Sequence, residues 1–261
     1  MTFADAKQRF SNRVADYVRY RPSYPSALLD LLREECGLRP DHVVADVGSG
    51  TGILSRMLLE NGNRVFGVEP NDEMRGAGTE YLSAFKDFSS IAGSAEATTL
   101  PGASVDFVTV AQAFHWFEPA ATRREFLRIL RSTGFVVIVW NERLFDTTPF
   151  LREYEALLHR FGNDYAKVSE SYPRQAQIQD FFGPKIFLQK SFPNFQKFDF
   201  DGVRGRLRGS SYVPSPDQPA FAPMMAELER IFNWHQHDGQ VRMDYTTHIY
   251  FGQLAATRNS A

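Results

Sequence analysis

Over its first half and more, the chain alternates short apolar runs with segments whose apolar residues recur every three or four positions. Val43–Val47 is a short β-branched run, as a strand buried on both faces should be. Gly48, Gly50 and Gly52 break it, and Ile53, Leu54, Met57 and Leu58 then recur at helical spacing as far as Asn61-Gly62. The same reading predicts strands over Arg64–Glu69, Phe88–Ala92, Val105–Val110 and Gly134–Trp140, with helices after Pro70 and over Pro119–Leu130. Upstream, Phe10, Val14, Tyr17 and Val18 share one helical face. Pro22 and Pro25 end that helix and open another, striped by Leu28, Leu31, Leu32 and Cys36 and closed by Gly37. Downstream, Thr148-Pro149 and Gly162 bracket a helix, and two more fall near 174–182 and 220–235. Lys185–Phe192 and Tyr245–Leu254 read as the last strands. Strands alternating with helices this regularly predict an α/β fold, a doubly wound parallel sheet.

Composition narrows the function. With 261 residues, 43% of them hydrophobic, the chain can bury the core of one large domain. A formal net charge of −2 gives no global electrostatic case for nucleic acid or an anionic membrane. MTFADAKQRF has no apolar signal core, and Phe135–Trp140 is too short to span a bilayer. The single cysteine, Cys36, cannot form an internal disulfide, which fits a reducing, cytoplasmic setting. His235 and His237 are wrongly spaced to share a helix face, so no metal site is expected.

The candidate chemistry begins at the glycine turn. Glycine admits positive φ and lets a ligand approach without meeting a Cβ, while the helix start offers free N–H groups and a positive dipole end. A dinucleotide turn, G-x-G-x-x-G, needs a glycine where Ile53 stands, which weighs against an NAD(P)-dependent oxidoreductase. Asp46-x-Gly48-x-Gly50-x-Gly52 instead resembles the D-x-G-x-G-x-G signature of class I S-adenosylmethionine (SAM) methyltransferases. Glu69 ends the next strand 19 positions after Gly50, where a carboxylate can accept from both ribose hydroxyls. The fourth strand runs into Ala111-Gln112-Ala113-Phe114-His115-Trp116-Phe117, beside the crevice where strand order should reverse. No Pro-Pro dipeptide is present, so the (N/D)-P-P-(Y/F) grip on an exocyclic base amine is missing.

Together, the glycine motif, Glu69, the Gly93–Pro101 segment and the Ala111–Phe117 run resemble a class I methyltransferase of the type 11 group, similar to trans-aconitate methyltransferase. The resemblance implies a mostly parallel seven-stranded sheet with an antiparallel edge strand and a helical lid. It divides a single domain into N-terminal cap helices (1–40), a SAM-binding core (41–145) and a remainder carrying the lid (146–261), with the last two strands paired like a hairpin. It further implies that the cofactor lies against Asp46, Gly48, Ser49, Gly50, Gly52, Glu69, Pro70, Met74, Ser94, Ala95, Glu96, Ala111 and Gln112. The family often carries an Asp near the adenine amine; Ser94 stands nearest that place here, so a side chain or only backbone at Ser94–Glu96 could read the base. Tyr17, Tyr20 and Arg21 would face the methionine tail or the substrate, with Trp116 and Tyr212 also on the substrate side.

SAM brings an activated methyl group, so transfer is an in-line displacement that asks the protein chiefly for positioning and exclusion of water. A small-molecule acceptor is expected. A carboxylate acceptor needs no base; for an amine or phenol, His115 is the residue to test, against the plainer reading of a structural histidine beside Trp116. The basic run Arg204–Tyr212 reads as a solvated helix end rather than a carboxylate grip. A SAM-binding regulatory module without turnover would keep the same cofactor residues. The sequence leaves oligomeric state open.

Overall fold

The computed structural model describes residues 20–163, 165, 175–183, 187–210 and 212–254. The predicted helix over 10–20, with Tyr17, lies outside them except for its last residue. Seven strands make one sheet: β1 (Val43–Val47), β2 (Arg64–Val68), β3 (Phe88–Ile91), β4 (Val105–Ala111), β5 (Leu130–Arg143), β6 (Leu188–Phe198) and β7 (Val241–Gly252). Their spatial order is β3-β2-β1-β4-β5-β7-β6. The first five are parallel neighbours, and β7 runs antiparallel to both β5 and β6. Strand order reverses between β1 and β4, which opens a crevice beyond their C-terminal ends.

Both faces are covered. Helices α1 (Ala27–Cys36) and α2 (Ile53–Glu60) pack Leu28, Leu32, Leu54 and Leu58 onto Val44, Val65 and Val137. On the other face, α4 (Pro119–Ile129) and α6 (Gln175–Phe182) set Phe126, Ile129, Ile178 and Phe181 against Val47, Val108 and Ile138; α3 (Asp72–Tyr81) flanks β3. Val136–Trp140 is buried throughout, at about 2 kcal/mol per large aliphatic side chain, which explains the near-continuous apolar run. A third core joins α5 (Pro149–Phe161), α7 (Phe200–Arg208) and α8 (Phe221–His235) around Tyr154, Leu207, Leu228 and the start of β7. This helical layer falls within residues 146–261, the segment expected to carry a lid.

Some boundaries move. β5 continues past Trp140 to Arg143 because β7 keeps pairing with it, Arg143 opposite Tyr245. β6 reaches Phe198, beyond the predicted Phe192; Pro193 is tolerated because β6 is an edge strand. Helix α7 was hidden in the sequence by Gly202 and Gly205, poor helix formers, although Asp199 caps it by accepting from Gly202 N–H at 2.7 Å. Among the described residues no helix is long and apolar enough to cross a membrane.

Candidate active site

The strand ends and the turns after them build the site. Gly48, Gly50 and Gly52 have φ of 68°, 55° and 84°, a left-handed series that β-carbons resist. Gly48 and Ser49 N–H both donate to Val68 O, at 2.8 and 3.1 Å, so the turn leans onto the end of β2. A Cβ at Gly48 would lie 2.6 Å from Ala113, and one at Gly50 would meet only the tip of Met74, at 3.4 Å. Gly48 therefore lets the segment after β4 close in, while Gly50 faces open room. Thr51 Oγ1 is buried there with no hydrogen-bond partner.

Glu69 is buried at the end of β2. Its Oε2 accepts from Gly50 N–H at 2.9 Å and its Oε1 from Asn71 N–H at 2.8 Å. Each oxygen keeps a lone pair for a hydroxyl donor. Burial raises the carboxyl above its ordinary pKa, opposed by those two amides and by Arg75. Asn71 caps α3, accepting from Glu73 and Met74 N–H, and so carries Met74 to the turn; Pro70 joins the two. This buried cap was not singled out in the sequence, although an Asn before a helical stripe is its usual sign.

Asp46 departs from its predicted place. It is 1% exposed and accepts from Ser55 Oγ at 2.6 Å and Thr109 Oγ1 at 2.9 Å. It ties β1 to α2 and β4 and reaches the crevice only through the turn it holds. Burial pushes its carboxyl up to about 6 against the pull of both hydroxyls. The adenine segment also shifts in character. Ala95 is in the core, and Glu96 Oε1 accepts Glu118 N–H at 3.0 Å, so that side chain serves the start of α4. Ser94 pairs through its backbone with Ala97.

Across the crevice, Gln112 follows Ala111 at the end of β4 with φ of 58°, a strained value for a side-chain-bearing residue. Its N–H donates to Val139 O and its Nε2 to Asn141 O, each at 3.0 Å. Next comes a single 3₁₀ turn, Phe114–Trp116. There the His115 ring lies 4.4 Å from Trp116 and 5.1 Å from Trp140. Its Nδ1 is buried with no hydrogen-bond partner, unlike the hydrogen-bonded structural histidine expected as the plainer alternative. Burial pushes its pKa down to about 4, so it is neutral at physiological pH.

The predicted substrate residues divide. Tyr20 packs its ring onto Gly205 of α7, and its carbonyl accepts from Gln196 Nε2 at 3.2 Å. Arg21 is half-buried beside it. Tyr212 meets Tyr165 edge-on at 4.8 Å and packs against the third core. The basic run needs correction: Arg204 and Arg208 are exposed as expected, but Arg206 is buried, because α7 turns that face into the third core. Burial also pushes the Cys36 thiol up to about 12, which makes it inert.

The sheet order and the glycine turn after β1 are those of the class I methyltransferase fold. Residues 45–138 match the Methyltransf_11 methyltransferase domain family. An uncharacterized methyltransferase-like protein of Schizosaccharomyces pombe is 32% identical over 91% of this chain and 92% of its own. An uncharacterized methyltransferase of Mycobacterium tuberculosis is 36% identical over 61% of this chain and 62% of its own. In fold, a solved structure from Anaeromyxobacter dehalogenans, provisionally assigned as a type II methyltransferase, superposes with a TM-score of 0.64 at 24% identity, over 90% and 98% of the two chains. The chain belongs to the class I SAM-dependent methyltransferases, a family whose cofactor is S-adenosylmethionine.

Proposed function

We propose that the protein transfers a methyl group from SAM to a small-molecule acceptor in the crevice between the glycine turn and the His115–Trp116 turn. The observation that carries this reading is the Glu69 carboxylate, bound to the Gly50 amide beside an open left-handed turn. When bound, SAM supplies a sulfonium-activated methyl group. The chain's own residues then have three tasks. Gly50, Glu69, Asn71 and Met74 hold and orient the nucleoside end, with Ser94–Glu96 offering backbone to the base. Ala111 and Gln112 bound the crevice, and the aromatic face of Trp116 favours a positive centre and keeps water out.

His115, neutral and with Nδ1 unpartnered, could accept a proton from an amine or phenol acceptor. A carboxylate acceptor, already ionised, would leave His115 a shaping role only. Calorimetric titration with SAM and S-adenosylhomocysteine, followed by an acceptor screen read as S-adenosylhomocysteine release, tests the proposal. Binding of both cofactor forms and turnover with some small acceptor is the expected result. Binding with no turnover across small acceptors would point to a regulatory module, and no binding would end the reading.

A further inference from the structure

One strand along the sheet rim from the crevice, two arginines are enclosed by tyrosines. Arg206 on α7 is 7% exposed, and its Nη1 donates to Ser210 Oγ at 3.0 Å. Its Nε is buried with no hydrogen-bond partner, and no carboxylate among the described residues forms an ion pair with it. Tyr154, Tyr212 and Tyr245 face it. Arg143 ends β5 directly opposite Tyr245, and its guanidinium lies 5.3 Å from the Tyr154 ring centroid. Its Nη2 pairs with Glu155 and donates to Tyr165 Oη at 2.8 Å, but its Nη1 is buried without a partner.

The charges do not close. Glu155 balances Arg143, and among the described residues no carboxylate balances Arg206. Burial pushes the phenols of Tyr154 and Tyr165 well above their ordinary range, so neither offers a phenolate at neutral pH. Enclosing a cation without a counter-charge is strongly unfavourable, and leaving guanidinium N–H groups unpaired adds to it. A buried guanidinium used only as internal packing would have its donors satisfied.

Position adds the rest. Asn141, whose carbonyl holds Gln112, is two residues before Arg143 on the same face of β5. A strand advances about 3.3 Å per residue, so the Arg143 Cα is about 7 Å further along the rim. The Tyr20 ring closes over Gly205, the neighbour of Arg206.

We propose that Arg206, flanked by Arg143 and walled by Tyr154, Tyr212 and Tyr245, is the anchor for an oxyanion, a carboxylate or a phosphate, carried by the acceptor. Planar guanidinium forks suit both groups, and the tyrosine walls exclude the water that would compete. The word acceptor rests on the methyltransferase reading; the oxyanion site stands without it.

Thermal unfolding of the full chain at neutral pH, with added succinate or inorganic phosphate against sodium chloride at equal ionic strength, tests the site. The melting temperature should rise saturably with one or both, succinate marking a carboxylate anchor and phosphate a phosphate anchor. Arg206→Met should abolish the rise, while Arg64→Met, at an exposed position on β2, should keep it. If Arg206→Met does not fold, Arg206→Lys, a point charge in place of the fork, should move the midpoint concentration about ten-fold. No rise in the wild type beyond chloride, a rise that survives Arg206→Met, or an unmoved midpoint in Arg206→Lys would overturn the proposal. SAM titrated in parallel separates the two ideas. SAM binding without an oxyanion response removes this site and spares the methyltransferase reading, and the converse result does the opposite.

Discussion

Glu69 and Gly50, 19 positions apart, are joined by a hydrogen bond of 2.9 Å from the glycine N–H to the carboxylate. The end of β2 and the turn after β1 therefore move as one piece, and the group proposed to grip a ribose also fixes the turn that would cradle the rest of the nucleoside. Glu69→Ala should weaken SAM binding ten-fold or more, since charge-assisted hydrogen bonds contribute about 1.5–3 kcal/mol. Glu69→Gln keeps one acceptor oxygen and removes the charge, and should fall between. Calorimetry showing both variants at wild-type affinity would remove the ribose assignment.

Two glycines of the turn should fail differently. A Cβ at Gly52 would lie 2.6 Å from Leu82 Cδ1, so Gly52→Ala should lower folding stability by about 1–3 kcal/mol through strain and collision. At Gly50 the nearest obstacle is the flexible tip of Met74, so Gly50→Ala should cost about 1 kcal/mol of stability yet impair SAM binding more than Gly52→Ala does. Urea unfolding beside calorimetry on the two variants checks this. Equal binding losses would place the ligand elsewhere.

His115 sets a pH signature. Its folded pKa, about 4, lies below its ordinary 6.5, so between these values the unfolded chain binds more protons and stability falls as pH falls. The stability gap between wild type and His115→Phe should accordingly narrow from pH 6.5 to 4 by up to about 3 kcal/mol, and stay flat above 6.5. In turnover, an acid limb near pH 4 rather than 6.5 is expected if His115 is the base, with SAM affinity little changed in the variant. A gap independent of pH would show that the ring is solvated.

Asp46 gives the opposite slope. Its folded pKa, about 6, exceeds the ordinary 3.8, so the stability it confers is full below 3.8 and declines as pH rises through 6. Ser55 Oγ favours the charged form. Ser55→Ala should therefore cost more at pH 8 than at pH 4, by about 1–2 kcal/mol in urea titrations. Equal costs at the two pH values would mean that Asp46 stays protonated throughout.

The parts of the site made by backbone were legible in the sequence. Gly48, Gly50 and Gly52 announced positive φ, and Val43–Val47 with Arg64–Glu69 announced the strands that place Glu69 beside Gly50. Side chains whose meaning depends on distant partners were not. Asp46 looked like a cofactor ligand because Ser55 and Thr109, which claim its carboxylate, are nine and 63 positions away. Arg206 looked solvated because neighbouring arginines in a run say nothing about which helix face turns inward. Arg143 carries no signal of its own, because the apolar run ends at Trp140 and only pairing with β7, more than a hundred positions on, carries the strand to it.

That late strand has a consequence for how the protein is made. Val241–Gly252 lies between two strands synthesised before it, so during translation β5 and β6 wait with bare edges until β7 leaves the ribosome. A message truncated upstream of Val241 would thus yield a product with sticky, unpaired backbone on both sides of the gap. Such a polypeptide is a ready target for chaperones and proteases, so intact length is in effect proofread by the sheet.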